Sequence, residues 1–177
     1  SNGTYSGTID WGDGTVVANS FANSTHTYTV AGDYDVTILG EFDYGSNGSD
    51  ASRRKIIDVK QWGNGITILR GAFKDARDLN ITATDILDLG STTDIRELFY
   101  QNFLNIFNTS INNWDVSNVT NILRLFLGAF SFNQPLNNWD TSNVTTMERT
   151  FASATSFNQD ISNWDFSSLN NVKSLFY

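Results

Sequence analysis

The sequence contains no cysteine, and its 177 residues include one proline, one methionine and one histidine. Without cysteine the chain can form no disulfide, thiolate nucleophile or thiolate metal site. The one histidine, His26, lies in the alternating, strand-like segment THTYTV, which gives little support to a Ser/His/Asp arrangement. The chain also has neither a glycine-rich phosphate loop after a strand nor a metal-ligand spacing. The sequence therefore predicts no catalytic residues, no cofactor and no metal site.

Basic charge and long apolar runs are also scarce. The longest apolar stretch, ILRLFLGAFSF, is interrupted by Arg124 and is well short of the roughly 20 residues that span a bilayer. The formal net charge of -8 argues against a nucleic-acid groove or an anionic membrane surface, because both favour clustered Lys and Arg. We expect no nucleic-acid partner and no membrane insertion. The basic run RRKIIDVK at 53–60 is interpreted as solvated charges beside a short strand, and the alternative is a docking patch for an acidic neighbour.

What the chain has in abundance is repetition. The phrase NNWDTSNVTTM, which starts at Asn137, has near copies in NNWDVSNVTNI before it and SNWDFSSLNNV after it. Four apolar columns share one fixed step along the chain: Trp114, Trp139 and Trp164; Phe107, Phe132 and Phe157; Phe126, Phe151 and Phe176; Val119, Val144 and Leu169. A further copy begins at Asp88, with a slightly longer step to Asp115, and a more degenerate one holds Trp62. About four and a half repeats therefore cover residues 60–177.

Each repeat combines a segment typical of a helix with a segment typical of a strand. SNVTNILRLFLGAF places apolar residues on one side of a helix, and FNQPLNNWD is short and polar, as in a strand with turns at its ends. The helical set consists of Val119, Ile122, Leu123, Phe126 and Leu127, with Ser117, Ser142 and Ser167 as N-caps. One repeat cannot bury its own apolar face, so adjacent repeats must stack. The expected fold class is α/β: a leucine-rich-repeat-like right-handed solenoid of short parallel strands and short helices.

Polar columns follow the same register. Stacking would place Asp115, Asp140 and Asp165 about 5 Å apart, so each carboxylate needs compensation. We expect each to accept backbone N–H groups at the turn that enters the helix, and a bridging calcium column is the alternative. The paired Asn residues of the repeats predict an amide ladder between adjacent turns. The Trp column is interpreted as core, and the alternative is an exposed row of indoles that stacks on sugar rings or on a partner.

The N-terminal segment has a different pattern. GTYSGTIDWGDGTVV places a Gly-Asp-Gly turn between β-rich runs, and THTYTVAGDYDVTILGEF alternates in the manner of a strand. These features predict a small antiparallel sheet that covers the first repeat, because a terminal repeat needs an atypical cap. Asp10 and Asp13 are expected to bond turn amides. The predicted organisation is a β cap over 1–45, a connecting segment over 46–61 and the repeat array over 62–177.

Two resemblances follow from these phrases. IDWGDGT followed by HTYTVAGDYDVTI resembles a shortened polycystic kidney disease type (PKD) β-sandwich, and the NNWD repeats resemble the 25-residue units of BspA-like leucine-rich-repeat surface proteins. QWGNG, LRGAF and ITATDILDL resemble the segment that precedes such arrays. The family pattern has Met where Ile122 and Leu125 stand here, and these apolar replacements leave packing intact. The resemblance implies a bacterial cell-surface or secreted protein for adhesion and recognition, without catalytic activity.

The predicted function is therefore a non-enzymatic adhesion or recognition module, extracellular or on the cell surface, that presents a polar face of the array to a protein or glycan partner. The expected contact residues point outward beside Leu136 and its equivalents: Asn112, Gln134, Asn137, Gln159 and Ser162. One alternative is a structural subunit of a filament, an appendage or a virion surface, because an uncovered last repeat at Phe176 favours end-to-end self-association. A glycan-active enzyme is the third alternative.

Overall fold

The structure, a computed structural model, describes residues 6–23, 25–39, 42–44, 54–63, 66–68, 70–101 and 110–177. Phe107 of the predicted columns and Arg53 of the basic run lie outside the described residues. The chain divides into two compact units: residues 1–44 with 64–67 form the first unit, and residues 45–63 with 68–177 form the second. Within the described residues the regular elements are seven short strands and one 3-10 helix, Phe21–Asn23. The strands are β1 (Thr8–Asp10), β2 (Val16–Ala18), β3 (Thr37–Leu39), β4 (Phe42–Tyr44), β5 (Asp58–Val59), β6 (Ile66–Ile68) and β7 (Asn80–Ile81).

The first unit is built around an antiparallel sheet with the order β2-β1-β3. Ile9, in the central strand, pairs with Val17 on one side and with Ile38 on the other, and its side chain is buried. The Gly-Asp-Gly turn between β1 and β2 is confirmed, with φ of 80° at Gly12 and 92° at Gly14. Glycine suits these positions because L side chains rarely adopt a positive φ. A separate pair of strands is formed by β4 and β6.

The two acidic residues of this turn bond backbone amides, as predicted. Asp10 Oδ1 accepts a hydrogen bond from the Gly12 amide (2.9 Å), and Asp13 Oδ1 accepts one from the Thr15 amide (3.0 Å). Bonds of this kind fix a tight turn from within. The strand expected in THTYTVAGDYDVTI is shorter than its alternation suggests, because the described residues of 25–36 lie outside the sheet.

Consecutive repeats of the second unit pair in parallel. Single bridges join Asp94 to Asn121, Asn121 to Thr146 and Thr146 to Asn171. The strands β5 and β7 pair in the same sense. At three of the four bridge positions the side-chain oxygen accepts the amide of the residue two positions later, at 3.0–3.1 Å. The same backbone position of each repeat therefore lies against its counterpart in the next one.

The structure has turns where helices were expected, and this corrects the helical part of the sequence interpretation. Residues 122–129 form overlapping turns, in which the Leu125 amide donates to the Ile122 carbonyl (3.1 Å). Alternate amides donate instead to the next repeat, as from Arg124 N to Glu148 O (2.9 Å). A helix would use these amides inside the repeat, whereas here they tie each repeat to its neighbour. We call residues 94–101, 121–128, 146–153 and 171–177 the ribbons.

The burial pattern of a ribbon explains why its sequence imitates a helix. In this ribbon and just after it, Ile122, Leu125, Phe126 and Ala129 are buried, and their spacing of i, i+3, i+4 and i+7 is also that of one helix face. Leu123 and Leu127 of the predicted helical set are only half-buried. The ribbon instead uses left-handed residues, which in L amino acids carry an energetic cost and have no marked sequence signature except glycine. The non-glycine residues with φ between 53° and 60° are Asp75, Glu97, Gln101, Arg124, Arg149, Ser153 and Ser174.

Phenylalanine rings stack in a file through the second unit. The rings of Phe73, Phe99, Phe126, Phe151 and Phe176 follow one another at centroid distances of 5.5–5.9 Å with interplanar angles of 9–10°. All of them except the last are buried. Burial of one such side chain contributes roughly 1.5–3 kcal/mol, and here each ring is covered by the rings of the repeats beside it. The apolar columns thus form a continuous core.

The Trp column is buried, which decides the alternative that the sequence left open. Trp114, Trp139 and Trp164 are only 4–6% exposed, so their indoles cannot stack on a sugar. Trp139 Nε1 donates to the Ile111 carbonyl (3.0 Å), and Trp164 Nε1 donates to the Leu136 carbonyl (2.9 Å) of the preceding repeat. The Trp139 amide also donates to Leu136 O (3.2 Å), so a turn brings both of these side chains inward.

Candidate functional site

The copies of the NNWD phrase form a polar surface of the second unit. We call residues 110–118, 135–143 and 160–168 the loop face. These segments contain four Asp residues and no Lys or Arg, so the loop face carries negative charge only. Its exposed residues include Asn113, Asp115, Asn118, Asn137, Asn138, Asp140, Asn143, Ser162, Asn163, Asp165, Phe166 and Ser167.

Asp115, Asp140 and Asp165 form a column of carboxylates in this face. Each accepts a hydrogen bond from the amide of the serine two positions later, at 2.8–3.0 Å. The serine hydroxyl and then its amide lower the pKa of Asp115 and Asp140, and at Asp165 the amide has the larger effect. The neighbouring carboxylates oppose this lowering at Asp140. The expected bonds to backbone amides are confirmed, and the serines serve these carboxylates instead of capping helices.

Acidification should destabilise the protein, because it protonates carboxyl groups whose pKa is lowered in the folded state. A carboxyl whose pKa is lowered in the folded state stabilises the fold above its unfolded pKa, here 3.8, and this stabilisation is lost as the pH falls below that value. We expect the urea midpoint to be constant between about pH 7 and about pH 5 and to decrease steadily below about pH 4.5. The residues with a lowered pKa are Asp13, Asp85, Asp115, Asp140, Asp160 and Asp165.

The matched variant for this experiment is Asp140→Asn. Asparagine keeps an oxygen that can accept the Ser142 amide but does not titrate. Its urea midpoint should therefore decrease less steeply with acid than that of the wild type. A wild-type midpoint that is unchanged from pH 7 to pH 3 would contradict the assignment.

A shallow cleft of about 110 Å³ borders the loop face. Its lining includes Asp85, whose carboxylate accepts the amides of Trp62 (3.0 Å) and Gly63 (2.7 Å). These two bonds fix the backbone of Trp62 and Gly63 beside Asp85. Over the part of the chain that the structure describes, no group of three or more His, Cys, Asp or Glu side chains is placed to hold a metal ion. In the first two segments of the loop face the column Asp is the only carboxylate, and in the third the additional Asp160 accepts the Ser162 amide (2.8 Å), so the column offers calcium no cluster of carboxylates.

The predicted amide ladder connects adjacent repeats. Asn112 Nδ2 donates to Asn137 Oδ1 (3.1 Å), and Asn112 Oδ1 accepts from the Asn138 amide (3.0 Å). One step along the array, Gln159 Nε2 donates to Oδ1 (2.9 Å) and to the carbonyl (3.1 Å) of Asn133. These hydrogen bonds hold the equivalent segments of neighbouring repeats in register.

The five residues predicted to contact a partner differ in exposure. Asn137 and Ser162 are exposed, whereas Asn112, Gln134 and Gln159 are half-buried. The structure brings Asn112 and Asn137 together in the ladder, and Gln159 bonds Asn133, so three of the five predicted side chains already bond the neighbouring repeat. The role of these residues in partner binding stays a prediction.

The Asn residue directly before each Trp was not among the predicted contact residues. Asn113, Asn138 and Asn163 are exposed. They reach solvent because Leu136 and Trp139 are both buried, which turns the two residues between them outward. The apolar spacing of three in Leu-x-x-Trp is the signal for this turn, since a strand would give a spacing of two.

The ribbons carry a different charge pattern. Glu97 lies between Lys74 (3.3 Å) and Arg124 (3.2 Å), which belong to the repeats on either side. Arg96 forms an ion pair with Asp94 at 2.7 Å. The ribbon residues Arg96 and Arg124 are thus paired with acidic side chains, whereas the loop face has no basic residue.

The histidine has a packing role in the first unit. His26 Nε2 lies 2.8 Å from Asp13 Oδ2, and this hydrogen bond lowers the pKa of Asp13. The imidazole stacks on Trp11 at 5.1 Å and meets the edge of Tyr28 at 4.6 Å. Tyr28 stacks in turn on Tyr34 at 4.0 Å. The group therefore ties the Gly-Asp-Gly turn to the segment that leads into β3.

The repeats of the second unit match a known sequence family. A family model described as "Mycoplasma protein of unknown function, DUF285" matches residues 67–177. The chain belongs to this family. The DUF285 match covers the loop face and the ribbons. No curated protein and no solved structure gives a significant match. None of the described residues forms a helix with the length and apolar character needed to cross a membrane.

Proposed function

We propose that this DUF285 protein is a non-enzymatic adhesion or recognition module that acts outside the cell or on its surface and binds a protein or glycan through the loop face. The observation that carries the proposal is the set of exposed Asn and Asp side chains fixed by hydrogen bonds within and between repeats. The exposed Asn137 accepts a hydrogen bond from the half-buried Asn112 of the preceding repeat, and each Asp of the column fixes its own turn. A surface ordered in advance loses little conformational entropy on binding.

The same contacts support a proposal for the architecture. Parallel bridges recur from Asp94 to Asn171, and aromatic rings stack between the same repeats. We therefore propose a right-handed leucine-rich-repeat-like solenoid over residues 62–177, similar to BspA-like surface proteins, with ribbons of turns in place of helices. A PKD-like β cap over 1–45 belongs to the same proposal.

The chemistry of the loop face favours a ligand rich in hydrogen-bond donors. The carboxylates of Asp115, Asp140 and Asp165 accept hydrogen bonds, and the exposed amides of Asn113 and Asn138 both donate and accept. Sugar hydroxyls and the Lys or Arg side chains of a basic protein surface meet these requirements. An anionic ligand does not, because the loop face has no basic residue to pair with it.

Asn138→Ala tests the site with little structural cost. The bond of Asn138 to Asn112 uses its backbone amide, so truncation of its side chain leaves the ladder in place. We expect the wild type to bind members of a glycan array or of a panel of purified surface proteins. Asn138→Ala combined with Asp140→Asn should lower that affinity at least about tenfold. Arg149→Ala, on a ribbon, is the control and should bind as the wild type does.

Two results would overturn this proposal. Equal affinity in the wild type and the double variant would place the binding site away from the loop face. Hydrolysis of a bound glycan, lost on replacement of an acidic residue, would establish the enzyme alternative instead.

A structural role in a filament, an appendage or a virion surface is the second candidate. It is favoured by the way each repeat binds the next through parallel bridges and stacked Phe rings, contacts that a repeat of another molecule could also make. Sedimentation velocity at rising concentration separates the two candidates, because a subunit should assemble whereas a recognition module should remain a monodisperse monomer.

A further inference from the structure

The Trp column is interrupted at one repeat. Leu87 occupies the position that Trp62 has in the repeat before it and Trp114 in the repeat after it. In the regular part of the array, Trp139 and Trp164 stack at a centroid distance of 6.2 Å with an interplanar angle of 4°. Trp62 and Trp114 instead meet edge to face, at 5.8 Å and 84°. The replacement of an indole by Leu87 therefore changes how the two nearest indoles pack.

These two indoles also lack the hydrogen bond that the later ones make. Trp139 Nε1 and Trp164 Nε1 each donate to a carbonyl of the preceding repeat, at 3.0 and 2.9 Å. Nε1 of Trp62 and Nε1 of Trp114 donate to no acceptor among the described residues. Trp62 is nevertheless only 4% exposed and Trp114 only 6%. A buried indole N–H usually has a partner, so these two donors indicate an acceptor that a ligand supplies.

Both indoles line the cleft of about 110 Å³ that borders the loop face. Pockets that enclose a whole small molecule measure roughly 300–1,000 Å³. The cleft is too small for that purpose, and it has room for one substituent of a larger ligand.

Polar groups surround the indoles in this cleft. The exposed side chains of Thr84, Ser110 and Asn113 belong to its lining. The carboxylate of Asp85 already accepts two backbone amides, and its oxygen atoms have a lone pair left for a further donor. The hydrogen bond from the Trp62 amide, above all, lowers the pKa of Asp85, so this group is charged at neutral pH. The cleft therefore offers a negative acceptor beside the two indole donors.

Apolar side chains complete the lining. Ile81 and Ile111 are buried, and Ile86 is 58% exposed. A group that fits the cleft must therefore offer an acceptor to the indoles, a donor to the carboxylate and a small apolar part to the isoleucines.

We propose that the cleft binds the acetamido group of an N-acetylated sugar, so that the ligand is a glycan that contains N-acetylhexosamine. The carbonyl oxygen of this group has two lone pairs, which accept the N–H groups of Trp62 and Trp114. Its own N–H donates to Asp85, and its methyl group packs against the isoleucines. The inference rests on the proposed function, because it selects a glycan from the partners proposed for the loop face.

Other substituents meet only part of these requirements. A hydroxyl group has no apolar part. A carboxylate can accept both indole N–H groups, but it has no donor and is repelled by Asp85. An acetylated lysine carries the same acetamido group, but it has no ring hydroxyls to bond Thr84, Ser110 and Asn113 at the cleft.

The test follows the indole N–H resonances of the full chain by heteronuclear NMR, and the five Trp residues give five such peaks. The probe is methyl N-acetyl-β-glucosaminide. The peaks of Trp62 and Trp114 should shift until the site is saturated, whereas those of Trp139 and Trp164, which bond carbonyls, should stay in place. Methyl β-glucoside has a hydroxyl in place of the acetamido group and should bind at least about tenfold more weakly.

Trp114→Phe keeps an aromatic ring but removes one of the two donors. It should weaken binding of the glucosaminide at least about tenfold, as read from the Trp62 peak. Trp164→Phe is the matched control. Trp164 does not line the cleft and bonds Leu136 O, so this variant should bind the sugar as the wild type does.

The proposal is overturned if the glucosaminide leaves both peaks unchanged or if the two sugars bind equally. It is also overturned if a peptide with Nε-acetyllysine shifts these peaks and the sugar does not, since the ligand would then be a protein. Asn138→Ala combined with Asp140→Asn should leave the titration unchanged, because neither residue lines the cleft. Failure of the loop-face proposal in that double variant would thus leave the indole shifts in place, and their absence would leave the loop-face result in place.

Discussion

Phe126→Ala should lower the free energy of unfolding of the second unit by about 4 kcal/mol. The Phe126 side chain is 0% exposed, and its ring lies 5.8 Å from Phe99 and 5.5 Å from Phe151. Truncation removes a ring from the middle of the file, so the repeats on both sides lose packing. Urea denaturation followed by tryptophan fluorescence measures the effect, because four of the five Trp residues belong to the second unit.

The matched control is Phe166→Ala in the loop face. Phe166 is 44% exposed, and its loss should change the free energy of unfolding by no more than about 0.5 kcal/mol. A Phe126→Ala variant as stable as Phe166→Ala would mean that the Phe file is not the core of the repeats.

Gly12→Ala should destabilise the sheet of the first unit by about 3 kcal/mol. Gly12 has φ of 80°, and a Cβ atom there would lie 2.6 Å from the carbonyl oxygen of Asp35. Alanine would therefore add backbone strain and also displace the segment before β3. Hydrogen exchange of the β1 amides, read by mass spectrometry of peptides, should become faster while exchange in the second unit stays unchanged.

Gly14→Ala separates the two causes. Gly14 has φ of 92°, but a Cβ atom at this position meets nothing within 4 Å. It should cost only the backbone term, about 1 kcal/mol. If the two variants accelerate exchange equally, close approach to Asp35 contributes nothing to the cost at Gly12.

The register between repeats of the second unit can be predicted from the sequence, because its core contains Phe side chains that recur at a constant sequence spacing. Phe126, Phe151 and Phe176 align in the sequence and stack in the structure, since each ring must be covered by a ring at the same position of the next repeat. The amide ladder is readable for the same reason, as the contact of Asn112 with Asn137 shows.

The local conformation of the repeat is not readable in this way. A helix and a ribbon of turns bury residues at the same spacing, so apolar spacing cannot separate them, and the ribbon buries Leu125 where the helical interpretation selected Leu123 and Leu127. The ribbon is set by left-handed residues, and at Arg124 and Arg149 these are side chains that no turn rule would select. Tertiary hydrogen bonds to the next repeat determine the conformation here, and local propensity does not.

The candidate site was predicted in part. The repeated NNWD motif, whose copies contain Asn112 and Asn137, correctly predicts a polar face. Several of the side chains predicted to contact a partner instead bond neighbouring repeats. Because Leu136 and Trp139 are both buried, Asn138 between them is exposed. A strand that alternates from Leu136 would instead place Asn138 inside and Trp139 outside.

The bridges between ribbons have a consequence for how such a chain can change in length. The step from Asp94 to Asn121 is two positions longer than the later steps to Thr146 and Asn171, yet all four positions pair in the same way. The extra length is thus absorbed between ribbons. Within a ribbon, alternate amides bond either the next repeat or a carbonyl of the same turn. A single inserted residue would reverse these two roles for every amide that follows it. Gene duplication can therefore lengthen or shorten the array by whole units, whereas small insertions should survive only in the segments between ribbons.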